Sequence, residues 1–211
     1  MGKGKTRGTL VAGFADCNPD PGMLKRARRG DMKAHEVLYR SYGGPVYTLA
    51  TRILGDASLA EEVLQDTSIE IMRHLREFRD DAAFGGWVKR IATNKCLALL
   101  RSAWHRKSRT LDDMDDEVED GHWGAAGADF STQLADRQRL EGALQALPPT
   151  ARAVVWLFDV EGYSHEEIAR MMGKSVSFSK SRLSRAHEQL RASLGTDERE
   201  VSTCMPRQNN C

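Results

Sequence analysis

The chain has 211 residues, of which 40% are hydrophobic and 29% are charged, and its formal net charge is +1 at pH 7. No apolar run is long enough for a signal peptide or a membrane-spanning helix, so we expect a cytoplasmic protein with no membrane insertion. The four cysteines are widely spaced and form no C-x-x-C pair, which indicates neither a zinc site nor a disulfide framework. We therefore expect no metal and no cofactor.

The first half of the chain is predicted to form four helices, since its apolar residues recur at helical spacing. Asp31 caps the first helix, which we expect to end at Tyr42 because Gly43, Gly44 and Pro45 interrupt the pattern. The other three helices are expected at residues 46–54, 59–78 and 87–104, with a loop at 79–86. Residues 26–106 should form a compact helical domain, preceded by a disordered extension at 1–25.

Residues 107–133 lose all periodicity, being first basic, then acidic, then rich in glycine and alanine. Seven of the nine residues at 112–120 are acidic, and this composition predicts a flexible linker. Helical spacing then resumes, so we expect a second helical domain at 134–194 and a disordered tail at 195–211. The predicted fold class is all-α, with two small helical domains joined by a flexible acidic linker.

The second domain ends in a predicted helix-turn-helix. Ser164 and Glu167 form a capping box at the start of a short helix, and Gly173 ends that helix. Ser175 caps the following helix, which is basic. The cations in or just before it are Lys174, Lys180, Arg182, Arg185 and Arg191. A basic helix held by a scaffold helix is typical of a DNA reader in the major groove, although paired helices with a glycine turn are common in all-α proteins.

A second nucleic-acid signal lies in the predicted helix 87–104 and its flanks. From Phe84 to Thr110 there are seven Lys or Arg residues and no acid. Phe84, Trp87 and Trp104 lie among these cations, and aromatic rings among cations suit single-stranded nucleic acid. The alternative for Trp87 is a place in the core.

Acidic residues form two other groups. One is the outward side of the predicted helix 59–78, which by itself indicates a solvated face. The other is the linker run 112–120, which is either a solvated disordered segment or an imitation of nucleic acid inside a basic channel of a partner. A metal-dependent nuclease built on that run would need its carboxylates on ordered elements, and the linker composition argues against this.

Three segments carry motifs that belong together: GDASLAEEVLQDTSIEIMRHLREFR, FGGWVKRIATNKCLALLR and LQALPPTARAVVWLFDVEGYSHEEIARMMGKSVSFSKSRLSRAHEQLR. In this order they resemble three parts of the bacterial RNA polymerase sigma factors of the extracytoplasmic-function (ECF) group. The parts are the core-polymerase-binding helix of region 2, the promoter-melting segment, and region 4. The resemblance covers residues 31–106 and 134–192.

The resemblance implies a sigma factor with no catalytic centre of its own, which directs promoter-specific initiation of transcription. Its implied partners are core RNA polymerase, promoter DNA and an anti-sigma factor. The implied contacts with core polymerase are Glu61, Glu62, Gln65 and Asp66. Those with the minus-ten element are Phe84, Trp87, Lys89, Arg90, Asn94, Lys95 and Arg101. Those with the minus-thirty-five element are Lys174, Ser177, Lys180, Ser181, Arg182, Ser184 and Arg185.

The chain departs from the family pattern at three places. Asp66 stands where Glu is usual, Ala98 stands where Asp is frequent, and Ser177-Phe178-Ser179 replaces the usual Gly-Thr-Val. Phe178 is expected either to pack on the scaffold helix or to touch a thymine methyl group. The alternative function is a stand-alone helix-turn-helix regulator, which would bind duplex DNA tightly and specifically without polymerase and would leave the acidic helix unexplained.

Overall fold

The computed structural model describes Gly13, Phe14, Cys17, residues 19–108 and residues 132–195, with the backbone alone at 103–108, 132–137 and 195. In this part of the chain every regular element is helical, which confirms the all-α class. The chain divides into two compact units, one up to Thr110 and one from Leu111. Most of the predicted linker and all but the first residue of the predicted tail lie outside the described residues.

A helix that was not predicted, α1 (Pro21–Arg28), precedes the helix capped by Asp31. Asp20 is its N-cap, with a carboxylate oxygen that accepts a hydrogen bond from the Met23 amide at 3.1 Å, and Pro21 occupies the first helical position. Leu24 and Ala27 are buried. The expected disorder of residues 1–25 is therefore wrong for residues 21–25, because a capped start and an inward apolar pair make this segment a helix.

The second helix, α2 (Met32–Leu54), runs through the predicted break at Gly43-Gly44-Pro45, so that prediction is wrong. Pro45 has no amide hydrogen, which leaves the Ser41 carbonyl without its helical donor. The thiol of Cys17 donates to that carbonyl instead, with Sγ 3.1 Å from the oxygen. Pro45 and its neighbour Val46 are both buried, so tertiary packing outweighs the local preference for a turn.

Two more helices complete the first unit. In α3 (Ala57–His74) the Asp56 carboxylate caps the start by accepting from the Leu59 amide at 3.0 Å. A short 3-10 turn, Asp81–Ala83, leads into α4 (Phe84–Ser108). Helix α2 packs on α3 and α4, which also pack on each other, and α1 packs on α2. The shared core includes Leu38, Val46, Ile53, Val63, Leu75 and Val88.

The second unit contains α5 (Thr132–Gln145), α6 (Pro149–Val155), α7 (His165–Met172) and α8 (Val176–Gly195). A single π-helical turn, Trp156–Val160, extends α6 without a break. Helices α5, α6 and α7 all pack on α8. The core here includes Val154, Leu157, Ile168, Leu183 and Ala186.

Candidate polymerase and nucleic-acid interfaces

The four residues predicted to contact core polymerase lie on one exposed face of α3. Glu61, Glu62, Gln65 and Asp66 recur at the spacing of one helical stripe. Further along, the same side carries Ile69 and Met72, which are 41% and 49% exposed. We call these six residues the α3 face. The two apolar members were missed from the sequence, although both continue the stripe at steps of three or four residues.

Phe84 is completely buried, with 0% of its surface exposed, so the prediction that it contacts the minus-ten element is wrong. Its ring meets those of Tyr42 and Phe78 edge-on, at centroid distances of 5.3 and 5.7 Å. As the first residue of α4, directly after the 3-10 turn, it is directed into the core. Trp87 is partly exposed and stacks on Phe78 at 4.7 Å, so one face of its indole is already covered.

The other predicted minus-ten residues divide between two sides of α4. Arg90, Asn94 and Arg101 are exposed and follow one another at helical spacing. We call these three residues the α4 stripe. Lys89 is only partly exposed. The side chains of Trp104 and of the cations after it lie outside the described residues.

Lys95 points toward α3 and not along the α4 stripe. Its ammonium nitrogen is 3.7 Å from an Asp66 carboxylate oxygen and 3.6 Å from one of Glu70. Two carboxylates of the same unit therefore lie beside its ammonium group, and the contact of Lys95 with nucleic acid stays a prediction. These pairs also join the α3 face to α4.

The predicted helix-turn-helix is confirmed in its local geometry. Ser164 and Glu167 form both hydrogen bonds of the capping box, and Gly173 has the left-handed φ of 67° that ends α7. The hydroxyl of Ser175 accepts from the Phe178 amide at 3.1 Å, which caps α8. These caps determine where α8 begins and therefore which of its residues face outward.

All seven predicted minus-thirty-five residues lie at the start or along the outward side of α8. Arg182 is partly exposed, and the other six are exposed: Lys174, Ser177, Lys180, Ser181, Ser184 and Arg185. The opposite side is buried and consists of Ser179, Leu183 and Ala186. The helix therefore has one packed side and one side of serines and cations.

Ser179 is a polar residue inside this packed side, and its role was not predicted from the sequence. It is 0% exposed, and its hydroxyl oxygen is 3.0 Å from Nδ1 of His165, at the start of α7. The His165 ring stacks on Phe158 of the π-helical turn at 4.3 Å. The inward register of Ser179 with Leu183 and Ala186 is the signal that could have revealed it.

Within the described ranges 19–108 and 132–195 and the few residues before them, no metal-binding cluster is formed. No three or more His, Cys, Asp or Glu side chains are arranged there to hold a metal ion. In the same ranges, no helix combines the length and the apolar character needed to cross a membrane. The acidic run 112–120 lies outside these ranges.

Both helical units match the family models of RNA polymerase sigma factors. Residues 38–106 match sigma-70 region 2, and residues 137–190 match sigma-70 region 4. The class of protein defined by these matches is the sigma-70 type of transcription initiation factor.

The relatives place the chain within that class. It is 32% identical to the ECF RNA polymerase sigma factor SigM of Mycobacterium tuberculosis over 176 residues, which is 83% of this chain and 85% of SigM. It is 33% identical to the ECF sigma factor SigE of Mycolicibacterium smegmatis over 179 residues, which is 81% of this chain and 65% of SigE. A solved structure of CnrH in complex with the cytosolic domain of CnrY shares 26% identity with a TM-score of 0.47, covering 87% of this chain and 99% of that one.

The chain belongs to the ECF family of RNA polymerase sigma factors. The alternative of a stand-alone helix-turn-helix regulator is not favoured, because the match to region 2 accounts for the first unit as well.

Proposed function

We propose that this sigma factor directs initiation by using one DNA-reading surface on each unit and one polymerase-binding surface on α3. The observation that carries the proposal is the division of α8 into a buried side and an exposed side of serines and cations. Such a helix can rest on its scaffold while its outward side meets a major groove.

The exposed side of α8 suits duplex DNA at the minus-thirty-five element. Ser177, Ser181 and Ser184 are short, so they let the helix approach base edges, and their hydroxyls both donate and accept. Arg185 lies on the same exposed side and can form the bidentate contact with guanine that is frequent in major grooves. Lys174, Lys180 and Arg182 supply phosphate contacts, which set the position of the helix without reading sequence.

The α4 stripe suits unpaired DNA at the minus-ten element. The Arg90 and Arg101 guanidinium groups attract phosphates, and the Asn94 amide can both donate to and accept from an exposed base edge. The uncovered part of the Trp87 ring offers a stacking surface, and Phe84 supports that ring from the core. Because this surface binds the separated strand better than the duplex, it shifts the equilibrium toward the open promoter.

The α3 face suits a basic element of core polymerase. Its carboxylates supply charge complementarity, and Ile69 and Met72 supply apolar area that is exposed in the free chain. Apolar area beside charged residues is a frequent composition of protein interfaces. The polymerase would supply the chemistry of RNA synthesis, and the sigma factor would act in the cytoplasm without a catalytic centre of its own.

An anti-sigma factor is a further proposed partner. A shallow groove between α2 and α3 is lined by apolar side chains, among them Leu38, Val46 and Ile71. Exposed Tyr39 and Met72 border it. An apolar helix of the partner would bury this groove, which lies next to the α3 face, and would compete with polymerase there.

The test of the proposed function is charge reversal on α8. Arg185→Glu should lower promoter-specific transcription by about tenfold or more, because it removes a cation that binds a base or a phosphate and adds repulsion from the DNA. Arg191→Glu is the matched control, since Arg191 is exposed on the same helix beyond the predicted set. Binding to core polymerase should be unchanged in both variants. Equal transcription by the two variants would contradict the role of α8.

A further inference from the structure

Phe178 replaces a small residue of the family pattern at the start of α8, and the structure places it between two cations. Its ring is partly exposed. The Lys174 ammonium lies 5.6 Å from the ring centroid, and the Arg182 guanidinium carbon lies 5.3 Å from it. Phe178 and Arg182 are four residues apart on α8, so their side chains are neighbours on its surface, and Lys174 lies just before the helix begins.

The position of Phe178 between the two cations affects how Lys174 and Arg182 can bind phosphate. Each cation is within the distance at which the negative face of an aromatic ring attracts it. Long lysine and arginine side chains lose rotamer freedom when they grip a phosphate, and that loss opposes binding. A ring that already restrains both side chains removes part of this loss before DNA arrives.

We propose that Phe178 is a positioning residue, which holds Lys174 and Arg182 ready for contacts with the phosphates of duplex DNA. The proposal rests on the proposed function of α8 as a DNA-reading helix. It differs from the idea that Phe178 touches a thymine methyl group, because the ring then acts through its neighbours and not on a base. Phosphate contacts are independent of sequence, so the promoter need not be known for the test.

The experiment measures binding of the full chain to a fluorescent mixed-sequence DNA duplex of about 20 base pairs, at KCl concentrations from about 50 to about 200 mM. Phe178→Leu keeps apolar bulk but removes the aromatic face. It should weaken binding at the lowest KCl concentration by roughly three- to tenfold. A plot of the logarithm of the binding constant against the logarithm of the KCl concentration should become shallower by about 0.9 for each phosphate that is no longer bound. Phe178→Trp keeps an aromatic face and should restore both affinity and slope.

Two controls separate positioning from packing and from base contact. In a Lys174→Ala, Arg182→Ala background, Phe178→Leu should have no further effect, because no cations remain to be held. A second duplex with deoxyuridine in place of thymidine lacks the methyl groups, and on it Phe178→Leu should weaken binding to the same extent. Thermal unfolding of each variant checks that the helix-turn-helix is intact.

Three results would overturn the proposal: Phe178→Leu binds as the wild type does, its weaker binding persists without the two cations, or its defect disappears on the deoxyuridine duplex. The last result would assign Phe178 to a thymine contact. None of these measurements uses polymerase, so failure here is distinct from failure of the Arg185 transcription test.

Discussion

A single buried hydroxyl connects the two helices of the helix-turn-helix. Ser179 on α8 and His165 on α7 share a hydrogen bond of 3.0 Å, and Ser179 is fully buried. A second polar link joins His187 Nε2 on α8 to Asp159 Oδ2 on the π-helical turn at 2.7 Å. The orientation of α8 therefore depends on polar partners as well as on apolar packing.

Ser179→Ala should lower the free energy of unfolding of the second unit by about 1 kcal/mol, the usual net value of a hydrogen bond. Ser177→Ala is the matched control, because that serine is exposed two residues earlier and corrects for the higher helix propensity of alanine. Urea unfolding followed by circular dichroism measures both. The same change in both variants would show that the His165 bond does not stabilise the fold.

At the scale of elements, the segment before α1 packs against both α2 and α4. The Tyr42 hydroxyl donates to the Cys17 carbonyl, and burial together with the nearby Cys17 raises the pKa of Tyr42 to about 12. The phenol therefore stays protonated and able to donate at neutral pH. Close to these contacts, the Phe14 carbonyl oxygen lies well inside van der Waals distance of the position that a Cβ atom on Gly85 would occupy.

Two adjacent glycines in the first turn of α4 should respond in opposite directions to alanine. Gly85→Ala should destabilise the first unit by about 1–3 kcal/mol, because the new methyl group meets backbone that cannot move without leaving its site. Gly86→Ala should stabilise it by up to about 1 kcal/mol, because it meets no atom within 4 Å and alanine favours the helix. Urea unfolding measures the change in stability of each variant. A stabilising Gly85→Ala would show that Phe14 does not pack on α4.

The predicted and observed helices differ where a contact between residues far apart in the sequence decides the structure. The Gly43-Gly44-Pro45 break is a local signal, whereas the donor that satisfies the freed Ser41 carbonyl comes from Cys17, 24 residues earlier. Such a contact has no signature in the nearby sequence. Caps behave differently, because Asp31 and the Ser164 capping box act within three residues, and the structure shows both predicted caps at helix starts.

At the scale of the whole chain, the net charge of +1 hides separate charged surfaces. Helical spacing was enough to predict the acidic side of α3, because that side follows from a period of about 3.6 residues, whereas the DNA-facing residues of α8 were implied by the family resemblance. It was not enough to distinguish the buried Phe84 from the partly exposed Trp87. It also could not distinguish Lys95, which points toward α3, from the exposed Arg90. Those distinctions depend on which helix packs against each side of α4, and the assembled fold decides that.

Disruption of the α3 face should separate polymerase binding from DNA binding. Glu62→Lys together with Gln65→Ala should weaken association with core polymerase by about tenfold, or about 1.4 kcal/mol, and leave the carboxylates that face Lys95 in place. Glu36→Lys on α2 is the charge-matched control. A fluorescence titration with core enzyme measures both. Equal affinities would remove α3 from the interface.

The most direct test of the account is run-off transcription on genomic fragments with purified core polymerase, with and without this chain. We predict discrete transcripts that begin at specific sites only when the chain is present, and that weaken with Arg185→Glu. If the chain binds core polymerase but never produces a site-specific transcript from any fragment, the proposal that its two units read promoter DNA is contradicted.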